Sequence, residues 1–100
     1  MIAAIVKLTI DPSKAAAAAA AFTRDVLPLV RSAPGFLAGY WLEPTDGAGL
    51  GFLLFASEKL AVDATPPKTP WSAPGVQIHG VEFRRVAVAI DGDRPADTAG

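Results

Sequence analysis

The chain contains no cysteine, no asparagine and a single histidine, and charged residues make up only 19% of its 100 positions. Without cysteine there is no disulfide, no thiolate metal ligand and no cysteine nucleophile. This fits a reducing compartment. One histidine with scattered carboxylates gives no metal-ligand spacing, so neither a metal nor another cofactor is expected. A formal net charge of −1, with Arg84-Arg85 as the only basic doublet, leaves no electrostatic footprint for nucleic acid. No apolar run approaches the ~20 residues that span a bilayer. "MIAAIVKLTI" lacks the basic region and cleavage pattern of a signal peptide. A cytoplasmic protein that does not bind membranes is therefore expected. The phosphate-loop, dinucleotide and GxSxG patterns are also missing.

What is present is apolar. Hydrophobic residues make up 51% of the chain, more than one small core absorbs, so some apolar surface is left for a partner. The length predicts one domain, placed at residues 1–90. The polar, small-residue tail "DGDRPADTAG", residues 91–100, is expected to be disordered.

Period-two patterning makes "MIAAIVKLTI" a strand with Ile2, Ala4, Val6, Leu8 and Ile10 on one face. Asp11 then supplies an N-cap and Pro12 a first helical position. The alanine run that follows has the highest helix propensity and small side chains suited to close packing on a sheet. Pro28 should kink or restart this helix, and Pro34-Gly35 should end it. "GFLAGYWLE" and "LGFLLFA" read as strands joined by a turn at Asp46-Gly47. Ser57 caps a short helix, "EKLAVDA", which the prolines of "TPPKTPWSAPG" stop. "VQIHGVEFRRVAVAI" reads as one long last strand whose phase slips, predicting a bulge or bend near Arg84-Arg85.

The order β-α-β-β-α-β is the split βαβ arrangement, an α+β, ferredoxin-like fold with a four-stranded antiparallel sheet. Both helices cover the same face. The other face is apolar whichever parity the middle strands take, and leaving it in water costs roughly 25 cal/mol per Å². A second copy packed face to face is the simplest cover, giving a homodimer with a barrel-like interior.

The segments "APGFLAGYWLE", "LGFLLFASEKLA" and "GVEFRRVAVAI" resemble the dimeric α+β barrel superfamily, in particular the antibiotic biosynthesis monooxygenase-like domains, from Met1 to about Ile90. The resemblance implies a ligand space between the two sheets of a dimer. It also implies one of several activities: cofactor-independent oxidation of aromatic polyketides to quinones, haem degradation or isomerisation. The family's oxygenases and haem-degrading members use an Asn and a Trp in the pocket, and haem binding adds a His from a helix. This chain has no Asn, and its histidine falls on the predicted last strand.

Assigning the even face of the first strand to the helices turns Lys7 and Thr9 toward the partner sheet. By the same logic the more polar parity of each later strand faces the partner: Trp41 and Glu43 on the second, Gln77 and His79 on the last, with Tyr40 under the helices. His79, the single histidine, is the candidate general base. Trp41 is the candidate stacking wall, or else a dimer-core tryptophan. Lys7 or Arg84 would stabilise a developing anion, with Glu43 as Lys7's other possible partner. The bland reading of Arg84 and Arg85 is one salt bridge and one solvated side chain. Tyr40 would orient a phenolate or serve as core. Trp71, in the proline-rich loop, would cover the ligand or fill a groove on its own subunit.

Besides a purely structural dimer whose interior is filled by its own aromatics, two functions follow from this reading. One is a small-molecule enzyme resembling cofactor-independent monooxygenases that act on phenolic or polycyclic aromatic substrates. The other is a non-catalytic dimeric barrel that binds a small aromatic ligand, which the missing Asn favours.

Overall fold

A computed structural model describes residues 1–92. Strands β1 (Ile2–Ile10), β2 (Phe36–Thr45), β3 (Ala48–Phe55) and β4 (Val76–Arg85) form one antiparallel sheet in the order β2-β3-β1-β4. A helical stretch connects β1 to β2, and helix α3 (Glu58–Ala64) follows β3. The fold is the α+β, ferredoxin-like arrangement. Most of the tail expected at residues 91–100 lies outside the described residues.

The even residues of β1 are the core. Ile2, Ala4, Val6 and Leu8 are buried together with Leu53 and Phe55 of β3, Val26 and Val30 of the helical stretch, and Ala61 of α3. Parity along β1 therefore predicted the covered face correctly.

The helical stretch is composite. Asp11 caps it, its carboxylate accepting from the Ser13 N–H at 3.0 Å and the Ser13 hydroxyl at 2.8 Å. A 3-10 turn (Pro12–Lys14) leads into α1 (Ala15–Ala21), a π-helical turn (Phe22–Val26) and α2 (Leu27–Arg31). Pro28 explains the π turn. It has no N–H, and its ring crowds the carbonyl four residues back. The helix widens just ahead of it, and the Leu27 N–H reaches the Phe22 carbonyl.

The β2-β3 hairpin turns on Asp46 at φ 51° and Gly47 at φ 79°, a left-handed pair whose twist suits adjacent strands. Ser57 caps α3 by accepting from the Leu60 N–H at 3.3 Å.

Two sequence expectations need correction. The last strand ends at Arg85, not Ile90, because Arg85 already pairs with Ile2, the first residue of β1. The Val86 N–H bonds the Met1 carbonyl, and Val88 and Ile90 are exposed beyond the ladder. The bulge lies at His79, not near Arg84-Arg85. Lys7 pairs with Gly80 and Leu8 with Ile78, which leaves His79 as the extra residue. That shift puts Ile78 and Val81 on the same side, and the residues expected in the opposite phase, Val86, Val88 and Ile90, lie beyond the strand.

Among the described residues no helix is long and apolar enough to cross a membrane.

Gly47→Ala places a side chain in the left-handed region and within 3.0 Å of the Ile10 carbonyl oxygen. It should lower stability by about 1–2 kcal/mol in urea unfolding, with no change in the transition's slope. The Ser13 hydroxyl, then the Ser13 N–H, hold the Asp11 carboxyl below its ordinary range. The folded value lies below the unfolded one, so this small, solvent-screened contribution is complete above the usual carboxylate range. It is lost as pH falls through the folded value. Melting temperatures between about pH 6 and pH 3 should fall less steeply for Asp11→Asn than for the parent.

Candidate functional site

The helical stretch and the sheet do not close on each other along their whole length. Alanines at positions 15, 18 and 19 carry no bulk toward the hairpin end of the sheet. Gly49 of β3 faces them with no side chain at all. The gap is a cavity of about 460 Å³, within the ordinary range for a small-molecule pocket. Ala15, Ala18, Ala19, Phe22, Thr23 and Leu27 form the helical wall. Leu8, Trp41 and Gly49 form the sheet side, with Glu43 and Pro44 at the exposed edge. Glu43 is the one ionisable residue of this lining, and Thr23 the one hydroxyl.

Trp41 is the largest element of the wall. Its ring meets Phe22 edge to face, centroids 4.6 Å apart at 82°, and Trp71 at 5.6 Å and 73°. Phe22 and Trp71 are 6.5 Å apart, so the three rings form one cluster. Each such pair contributes about 0.5–1.5 kcal/mol beyond the area it buries. The π turn delivers Phe22 to this cluster, which ties the widening caused by Pro28 to the shape of the cavity. Trp71 is buried, and its indole N–H has no hydrogen-bond partner among the described residues. It fills a groove on its own subunit, one of the two roles its loop suggested.

The parity assumed for β2 is therefore inverted. Trp41 lies on the helical face, and Tyr40, 59% exposed, lies on the open face. The cause is that Glu43, which marked this parity as the polar one, sits at the exposed edge of the cavity on the helical side; a register shift between Phe36 and Ala38 makes Leu37 an irregular position. Trp41 pairs with Gly51 and Tyr40 with Phe52. The cavity of the single chain lies between helix and sheet, across the sheet from the open face that was expected to meet a second copy.

The remaining candidates gather on that open face. His79 exchanges a hydrogen bond of 2.8 Å with the Thr9 hydroxyl. Arg84 pairs with Glu82 at 2.7 Å, and this ion pair holds the Glu82 carboxyl below its ordinary range. Lys7 lies opposite Gly80 and Leu50, forms no ion pair among the described residues, and is a minor contributor to the Glu82 shift. It is not paired with Glu43. The structure thus brings together Trp41, Glu43 and Trp71 around the cavity or its wall. Lys7, Tyr40, His79 and Arg84 stand across the sheet. Sequence reasoning missed Phe22, the alanine wall and the glycines of β3. The signal was a run of small residues opposite a Gly-x-Gly strand.

Residues 1–55 match the family model for antibiotic biosynthesis monooxygenases. The chain belongs to the antibiotic biosynthesis monooxygenase family. Among curated proteins none matches it. Among solved structures it is similar to SnoaB, a cofactor-independent oxygenase from Streptomyces nogalater. That match has 11% identity and a TM-score of 0.63 and covers 91% of this chain and 97% of that one. It is also similar to the monooxygenase ActVA-Orf6 of Streptomyces coelicolor, solved with nanaomycin D, at 22% identity, TM-score 0.59 and 92% coverage of each chain. MhuD, solved with two manganese protoporphyrin IX molecules per active site, matches at 16% identity and TM-score 0.63. It covers 92% of this chain and all of that one. At these identities the likeness is one of fold.

Ala19 is exposed on the helix and lines the cavity. Ala19→Leu should leave the melting temperature within a few degrees, since both residues favour helix. It should weaken uptake of a planar apolar dye, read by fluorescence titration, by about tenfold.

Proposed function

We propose that this chain is a small-molecule enzyme of the cofactor-independent monooxygenase type, acting in the cytoplasm on phenolic or polycyclic aromatic substrates. The observation that carries the reading is the apolar cavity walled by Trp41, with Glu43 as its one ionisable lining residue. A flat aromatic ring stacks on or against the Trp41 indole and displaces water from apolar walls. Glu43 at the edge accepts the substrate's acidic proton. His79, on the opposite face, does not reach this space.

The chemistry balances with molecular oxygen as oxidant. A hydroxylated anthrone loses its acidic proton to give a carbanion-like phenolate, which supplies the electrons. One oxygen atom becomes the new carbonyl, and the other leaves as water with the two hydrogens lost from the ring carbon. Dihydroxyanthrone plus oxygen thus gives dihydroxyanthraquinone plus water.

The second reading, ligand binding without turnover, is supported by the absence of Asn and of any basic side chain in the lining. Oxygen uptake separates the two. The enzyme reading expects dihydroxyanthrone to be oxidised faster than the buffer background, with the rate reduced about 10²-fold or more by Glu43→Gln. Tight binding of the anthraquinone with no excess oxygen uptake would leave only the binding reading.

The open sheet face completes the proposal. Ile5, Leu50, Phe52 and Leu54 lie on it beside the exposed Leu37, Tyr40 and Leu42. We assign this face to a homodimer contact, a second sheet being the cover of matching shape and chemistry. Sedimentation should give twice the monomer mass, and Phe52→Glu should give monomers without loss of β-sheet circular dichroism. A monomeric parent at micromolar concentration would contradict the dimer.

A further inference from the structure

Gly51 sits in the middle of β3, buried on the helical face, between Val6 of β1 and Trp41 of β2. Glycine in the interior of a strand weakens it and often marks a place where another group comes close. Here that group is the Trp41 ring. A Cβ at position 51 would overlap ring carbons Cζ3 and Cε3 and would stand 2.9 Å from Cη2. Phe22 and Trp71 hold the same ring edge to face. The indole therefore has little freedom to yield. Gly49, two residues earlier on the same face, lines the cavity, and a Cβ there would stand 2.8 Å from Leu8 Cδ1.

We infer that Gly51 is the specificity-determining position of the cavity: its missing side chain seats the Trp41 ring against β3, and that seating leaves a slot for a thin, planar ligand. The inference rests on the reading of the cavity as a ligand site. Gly51 acts through Trp41 and is a positioning residue. A methyl group at position 51 lifts the indole off the strand, and the space above the strand is the cavity. The alanines of the helical wall then face the displaced ring across a narrower gap. By contrast Gly80, on β4, has nothing within 4 Å of its would-be Cβ.

The test compares Gly51→Ala, Gly80→Ala, Trp41→Leu and the double variant Gly51→Ala/Trp41→Leu with the parent. Two readouts are used: near-ultraviolet circular dichroism, which reports Trp41–Trp71 coupling without any ligand, and titration with dihydroxyanthraquinone. Gly51→Ala should change the tryptophan dichroism and weaken anthraquinone binding by about tenfold or more, the scale of one misplaced methyl group in an apolar pocket. Gly80→Ala should change neither. The double variant, with room again for the methyl group, should melt near a Trp41→Leu single variant even if Gly51→Ala fails to fold. An unchanged dichroism spectrum with binding within about twofold of the parent would overturn the inference, as would a Gly51→Ala change that destabilises the Trp41→Leu background as much as it destabilises the parent. If the parent binds no anthraquinone, the ligand-site reading fails, and the dichroism still decides whether Gly51 seats Trp41.

Discussion

The even side chains of β1 are buried beneath Val26 and Val30 of the helical stretch and Ala61 of α3, and this one contact organises the chain. Val26 and Val30 carry the bulk that fills the space over Leu53 and Phe55. Near the hairpin end Ala15, Ala18 and Ala19 face Gly49 instead. The lack of bulk on either side leaves the cavity. Core and pocket are thus two outcomes of side-chain size along a single helical stretch.

The aromatic cluster keeps that space from collapsing. An apolar void costs free energy in proportion to its volume, and side chains relax into it unless they are held. Phe22, Trp41 and Trp71 hold each other edge to face, and each comes from a different part of the chain. Pro28 contributes indirectly, since the π turn that absorbs it also carries Phe22. The cost of a widened helix turn and of two strand glycines is spent at the same place, which is where a binding site is expected.

Much of this was legible in the sequence. The βαββαβ order, the Asp11 and Ser57 caps, the Asp46-Gly47 turn and the covered face of β1 each follow from a local pattern that the structure repeats. The side of the sheet on which Trp41 lies did not follow. Glu43 marked its parity as the polar, partner-facing one, but it stands at an exposed edge while Trp41, two residues earlier on the same side, packs on Phe22. His79 is a similar case: the slip read after Phe83 only marks the end of the ladder, and the bulge at His79 depends on the pairing with β1. Parity is a local signal, and register is a property of two strands.

The account's central claim is that a ligand enters between the helix and the sheet, against Trp41. A crystal structure of the protein soaked with dihydroxyanthraquinone tests it most directly. The account predicts a planar ring in the space bounded by Ala18, Phe22, Trp41 and Gly49, with its edge toward Glu43. A ring bound instead on the opposite face, among Lys7, Tyr40 and His79, would contradict it and would return the site to the space between two sheets.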